Sequence, residues 1–219
     1  MVHELRTPLA SLNAAMYLLQ HPEVGEEQRE RVMRTMSNEI NRLADLASSF
    51  LDLAKLESGR MPFQSEQINL RQLLEECTLL VRGKLQDKQQ TLEVALPEDL
   101  PAIAGDGDKI RQVVLNLLSN AQKYTPDAGE IRLSAGYDQD SVWFSVADNG
   151  SGIPEQYLPR LFEKFFRVPG SERSAQGTGL GLSICKRIVE THRGRIAVDS
   201  RENAGTTFTV SLPRFSPRH

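Results

Sequence analysis

Asn116 and Asn120 stand four residues apart in "NLLSNAQKYTP", and Lys123 follows three further on. On a helix the three share a face. Asparagine is poor in a helix interior, because its amide competes for the backbone. Two of them one turn apart therefore ask for a purpose. Amide oxygens are hard ligands. Such a pair can hold Mg²⁺, which takes few protein ligands and completes its shell from water and phosphates, and Lys123 suits a phosphate beside it. A pair of solvated polar positions fits the same spacing. In "SVADNGSGIP", alternating Val142, Phe144 and Val146 run into Asp148, with Gly150 and Gly152 behind it. A carboxylate at a strand end can accept a hydrogen bond from an exocyclic amine such as that of adenine. The glycines let a ligand come close to the backbone. "DNG" is also an ordinary turn signal.

In "AQGTGLGLSICKRIVE", Gly177, Gly179 and Gly181 alternate and lead into a helix. The first N–H groups of a helix receive anions. A dinucleotide fingerprint would need glycine where Leu182 stands, and a P-loop would need a Gly-Lys-Ser/Thr ending, so neither is present. The stretch before it, "FEKFFRVPGSERSAQ", mixes aromatics with Lys164, Arg167 and Arg173. It reads as a mobile lid over a bound nucleotide, or as a long loop with buried aromatics. At the far end, "MVHELRTP" sets His3 beside Glu4, with Thr7 one helical turn later. The meaning of that histidine depends on what the rest of the chain brings to it.

These residues need elements to hold them. Leu5, Leu9, Leu12, Met16 and Leu19 form a narrow apolar seam, and Met33, Met36, Ile40, Leu43, Ala47, Phe50 and Ala54 form a second one. Pro22 and Gly25 break the pattern between them, so the two helices make an antiparallel hairpin. Val32, Leu46 and Leu53 widen the second stripe beyond what a hairpin can cover. A second copy would complete a four-helix bundle. The other way to cover the stripe is the rest of the same chain. Gly59 and Pro62 end the hairpin. Helices are expected over 69–86, 107–124 and 179–192. Strands are expected in "TLEVAL", in "EIRLSAGY" and "SVWFSVAD" around "DQD", and in "GRIAVDS" and "TTFTVSL" around "RENAG". The fold class is α+β: a helical hairpin that becomes a four-helix bundle on dimerisation, then a sandwich of one mixed sheet under helices.

A chain of 219 residues with 39% hydrophobic and 25% charged residues is globular in composition. A net charge of −3 gives no reason to expect nucleic acid as a partner. No apolar run approaches the roughly 20 residues that span a bilayer, and no secretory signal is visible. Cys77 and Cys185 lack metal-like spacing and make no disulfide framework, which points to a reduced, cytoplasmic setting.

Taken in order, Asn-x-x-x-Asn-Ala-x-Lys-Tyr, Asp-x-Gly-x-Gly, an aromatic-basic lid and Gly-x-Gly-x-Gly resemble the Bergerat-type ATP-binding domain of sensor histidine kinases. Gyrase-type topoisomerases and mismatch-repair ATPases share that superfamily. "GTTFTV" looks like the closing motif of the family, and "HELRTPLASL" is similar to its phosphoacceptor motif. The resemblance covers essentially the whole chain. It implies 1–60 as dimerisation and phosphoacceptor hairpin, 61–68 as linker and 69–214 as ATP-binding domain. It implies ATP as donor, His3 as acceptor, and an aspartate of a response regulator receiver domain as the next acceptor. The chemistry needs a neutral imidazole with one ring nitrogen free, and a carboxylate on the other ring proton, for which Glu4 is the neighbour. Mg²⁺ on Asn116 and Asn120 would neutralise phosphate charge, with Lys123 assisting. By resemblance Asp148 reads the adenine amine, Tyr124 and Thr206 lie near the nucleotide, and Thr7 serves dephosphorylation of the regulator.

Pro8 cannot donate to the carbonyl of Glu4, so a helix through this stretch should kink just past the reactive residues. Only two residues precede His3, where the family carries more helix and a signal-bearing segment. The chain therefore reads as a catalytic fragment, the cytoplasmic part of a larger sensor. A local alternative makes Thr7 the N-cap and Pro8 the first helical residue. It would leave His3 in a frayed end, and the chain would be a nucleotide-binding dimerisation module whose kinase activity was lost by truncation. A hydrolytic ATPase of the same superfamily is the other enzyme reading. It has no need of "HELRTP".

Overall fold

The computed structural model describes residues 2–20, 25–57, 66–169 and 178–215. It divides into two compact units, Met1–Glu57 and Ser58–His219.

The first unit is a helical hairpin, α1 (Val2–Gln20) packed on α2 (Glu26–Glu57). α1 runs unbroken through Pro8. That overturns the local alternative of a helix start at Thr7: a residue five places inside a helix does not cap it. Pro8, Leu12, Ala15 and Leu19 turn inward or partly inward, while Leu9, Met16, Met33 and Ile40 are each more than half exposed. Each seam therefore has one side packed within the hairpin and one side left open. The side chains of residues 2–7, which include His3, Glu4 and Thr7, lie outside the description.

The second unit is a two-layer sandwich. Its main sheet has the order β2-β4-β5-β7-β6, with β2 (Thr91–Ala95), β4 (Glu130–Tyr137), β5 (Ser141–Asp148), β6 (Arg195–Ser200) and β7 (Thr206–Pro213). β2 pairs parallel to β4, and every other neighbour pair is antiparallel. The mixed sheet of the expected α+β sandwich is present. A small second sheet pairs β1 (Glu66–Ile68) with β3 (Ile103–Gly105). β1 takes up the last three residues of the expected 61–68 linker.

α3 (Leu70–Gln86), α4 (Gly107–Tyr124) and α5 (Gly181–Thr191) form the other layer, with α4 in the middle. Asn69 and Asp106 cap α3 and α4, each accepting from a backbone N–H three residues on. The inner face of the sheet, Ile131, Leu133, Val142, Phe144, Val146, Val210 and Leu212, is essentially sealed from solvent against Val113, Val114, Leu117, Ile184 and Ile188. An Arg111–Glu76 pair at 2.7 Å ties α4 to α3. Cys77 and Cys185 are buried free thiols whose burial pushes their pKa up to about 11 and about 12. They are packing residues, not reactive ones.

Candidate functional site

Three backbone features converge at the end of β5. Its last residue, Asp148, stands in register with Thr206 at the start of β7. Its Oδ1 accepts from Gly150 N–H at 2.9 Å, and Thr206 N–H also donates to the carboxylate. Burial holds the carboxyl above the ordinary aspartate range, and these two N–H groups offset that in part. The next residue, Asn149, faces away from this cluster: its Oδ1 accepts from Glu130 N–H at 2.9 Å and pins the turn to β4. "DNG" is thus a turn as well as a carboxylate mount.

The loop that follows is clamped on both sides. A Cβ on Gly150 would strike the Tyr124 main chain, and one on Gly152, at φ +61°, would land on the Arg201 carbonyl. Ser151 N–H donates to Tyr124 O, and Asn203 N–H to Ser151 O. Tyr124 therefore meets this loop through its main chain. Thr206 is buried, and its hydroxyl is paired with Ser200 Oγ at 2.8 Å. It contributes its N–H to Asp148, while its side chain is committed to the strand pair.

α4 carries Asn116 past the start of α5. Asn116, Asn120, Lys123 and Tyr124 are all half-buried. Asn116 Oδ1 lies 3.4 Å from where a Cβ on Gly181 would stand, so the amide oxygen faces the first residue of α5 across a gap that glycine keeps open. The side chain of Asn116 also hydrogen-bonds with the Cys185 thiol one turn into α5. The N-cap of α5, Leu180, makes no side-chain cap hydrogen bond among the described residues, and the first N–H groups of a helix are the kind of donors that receive an anion. Among the described residues no cluster of His, Cys, Asp or Glu could hold a metal. A cation here would rest on the two amides and take its remaining ligands from water and phosphate oxygens, which is the coordination habit of Mg²⁺. The donor set fits the ion.

Gly179 precedes α5 at φ +69°. Its carbonyl accepts from Phe165 N–H at 2.9 Å, and a Cβ on it would collide with the Phe165 backbone. The expected helix start at 179 therefore shifts to Gly181, since a left-handed residue cannot begin an α-helix. Within the expected lid, Lys164 is exposed and Arg167 half-buried, and Arg160 stacks over Phe166 at 4.4 Å. Gly177 and Arg173 lie outside the described residues. Sequence reasoning missed Asn149 and Ser200, and it took Gly205 only as the first residue of "GTTFTV". A Cβ on Gly205, at φ +92°, would strike the Asp148 carbonyl. "NAG" before a strand reads locally as a plain turn, so only the resemblance marked Gly205.

Residues 105–216 match the family model of histidine kinase-, DNA gyrase B-, and HSP90-like ATPases, and residues 1–59 that of the His Kinase A (phospho-acceptor) domain. The chain is 34% identical to the adaptive-response sensory kinase SasA of Thermosynechococcus vestitus, over 99% of this chain and 59% of that protein. It therefore spans only part of the curated relatives it matches. Among solved structures, full-length ShkA in complex with AMPPNP superposes with a TM-score of 0.74 at 29% identity, covering 99% of this chain and 45% of that one. Histidine kinase ThkA in complex with the response regulator protein TrrA gives 0.80 at 26%, covering 98% and 60%.

Proposed function

The chain belongs to the sensor histidine kinases, within the histidine kinase-, DNA gyrase B-, and HSP90-like ATPase family, and from that premise we propose that it phosphorylates itself on His3 from ATP and passes the phosphoryl group to a receiver-domain aspartate. The observation that carries the reading is the start of α5 facing Asn116 Oδ1 across Gly181. That arrangement puts an anion site and a hard oxygen ligand side by side.

In this reading residues 69–214 bind ATP and residues 1–60 supply the acceptor. Asp148 accepts from the adenine amine while Gly150 and Thr206 hold its carboxylate in place. The first turn of α5 receives phosphate oxygens through backbone N–H groups, and Lys123, Lys164 and Arg167 add positive charge near them. Mg²⁺ held by Asn116 and Asn120 would neutralise charge on the phosphates. Glu4 takes the hydrogen bond of one His3 ring N–H and so presents the other nitrogen as the nucleophile. That nitrogen forms a bond to the γ-phosphorus as the bond to the bridging oxygen breaks, and ADP leaves. In the same reading Thr7, one turn on, holds a water against a phosphoryl group on the regulator, which gives the chain a phosphatase activity toward it. The open seam of Leu9, Met16, Met33 and Ile40 supports a homodimer through the hairpin, because exposed apolar stripes of this kind are association surfaces. No helix among the described residues is long and apolar enough to cross a membrane. We place the chain in the cytoplasm, as the catalytic part of a longer sensor.

The test is incubation with γ-labelled ATP and Mg²⁺. A kinase gives protein-bound label that is acid-labile and base-stable, lost in His3→Gln with ATP affinity retained. Free phosphate without bound label would make the chain a hydrolytic ATPase, and nucleotide binding with neither would make it a binding module.

A further inference from the structure

Two side chains outside every motif meet at the C-terminal end of α4. Lys88 Nζ donates to the carbonyls of Gln122, Lys123 and Thr125, at 3.1, 3.2 and 3.2 Å. Gln90 Nε2 donates to Gln122, Thr125 and Pro126, at 3.1, 2.8 and 3.2 Å. An ammonium has three protons, and Lys88 has found an acceptor for each. The acceptors are carbonyls that a helix end leaves without intrahelical partners. A cation at that end also opposes the negative pole of the helix.

The backbone keeps both side chains on station. Ala128 N–H donates to Lys88 O at 2.9 Å, and Thr91 N–H donates to Gly129 O at 2.9 Å. Segment 88–91 is therefore laid along the chain that leaves α4. Gln90 is buried, and its Oε1 has no partner among the described residues. A buried amide oxygen without a partner costs stability. An apolar side chain of the same length would avoid that cost but would take the Gln90 donor away from the carbonyls of Gln122, Thr125 and Pro126.

What this end of α4 does next is tied to the candidate site. The carbonyl of Tyr124 takes the N–H of Ser151 and sits where a Cβ on Gly150 would stand. Gly150 in turn donates to the Asp148 carboxylate. The chain of contacts is short: Lys88 and Gln90, the last α4 carbonyls, the Gly150–Ser151 backbone, Asp148.

Resting on the reading of Asp148 given above, we infer that Lys88 and Gln90 are positioning residues that set the end of α4 against the Asp148 loop and so tune recognition of the nucleobase amine. They touch no nucleotide in this scheme. Their effect is read on the base, through the Tyr124 carbonyl and the Gly150–Ser151 backbone that lead to Asp148.

The experiment compares ADP with inosine diphosphate, which carries an oxygen in place of the amine, by calorimetry on the full chain with Mg²⁺. The wild-type chain should prefer ADP. Lys88→Met and Gln90→Leu should each lower that preference by about fivefold or more, the scale of one weakened hydrogen bond. Lys88→Arg, which keeps the cation and its donors, should retain it. Two different variants guard against one that fails to fold, and melting curves accompany each. A lower melting temperature with an intact ADP preference in both variants would make the pair a helix cap and nothing more, and would overturn the inference. Asp148→Asn separates the layers. If it abolishes the preference while Lys88→Met and Gln90→Leu keep it, the positioning role is wrong. If Asp148→Asn leaves the preference untouched, the base reading itself fails, and the inference with it.

Discussion

Two glycine-to-alanine substitutions in the same unit should have opposite signs. Gly83 lies in the exposed interior of α3, with open space where a Cβ would stand. Alanine there should stabilise by about 0.5–1 kcal/mol, the helix-propensity difference between the two residues. For a unit of this size that is a rise in melting temperature of roughly 1–4 °C. Gly179 has φ +69°, and a Cβ on it would meet the C and Cα of Phe165 at 2.7 and 2.8 Å. Left-handed backbone costs alanine roughly 1–2 kcal/mol. The collision is with main chain, so no rotamer can relieve it. The Phe165–Gly179 hydrogen bond should open, at about 0.5–1.5 kcal/mol more. Together these come to about 1.5–3.5 kcal/mol against the closed arrangement of 161–167, or roughly a ten- to three-hundredfold loss in nucleotide affinity if closure is needed to bind. Calorimetry with ADP and thermal melts on both variants read the two effects. Gly179→Ala binding ADP as tightly as the wild type would refute the claim that this contact holds the site. So would a gain in stability matching that of Gly83→Ala.

Acidification should weaken ADP binding at a higher pH than an ordinary aspartate would set. The folded pKa of Asp148 lies above its unfolded value because burial disfavours the charge. The folded protein therefore takes up the proton first. The contribution of this group to stability rises as pH falls through the folded pKa, while base recognition, which needs the carboxylate, is lost over the same window. The readout is the difference between wild type and Asp148→Asn, since other carboxylates contribute to both, and identical pH profiles would remove Asp148 from the site. Thr7→Ala should keep autophosphorylation and lose phosphatase activity toward the phosphorylated regulator, whereas Glu4→Ala should lose autophosphorylation. Because α1 already extends five residues before Thr7, no capping loss is expected. A melting-temperature drop of the size of a lost cap, about 1 kcal/mol, with both activities reduced would return Thr7 to a structural role.

What the sequence disclosed and what it concealed follow from the range of each signal. β4, β5 and β7 alternate over eight residues each and bury one face, so their period is readable. β1 and β3 have three residues apiece, too few to show a period. Alternation also carries no direction, so nothing in "TLEVAL" announces that β2 runs parallel to β4. The motif residues were legible because their chemistry is local. Asn116 and Asn120 are one turn apart, and Asp148 sits two residues before the glycine whose N–H it accepts. Where a role depends on a distant backbone, the residue type does not state it. Gly205 is marked by the resemblance of "GTTFTV", but its reason, the Asp148 carbonyl 57 positions away, is not, and Lys88 and Gln90 act on carbonyls 32 to 37 positions away. A side chain whose partner is another side chain leaves two marks in a sequence. One whose partner is main chain leaves a single mark, because every residue type offers the same carbonyl. The positioning layer of this site is built almost wholly from the second kind of contact. Its members are therefore found by asking where the exposed ends of α4 and α5 send their hydrogen bonds, and the answer for α4 is Lys88 and Gln90.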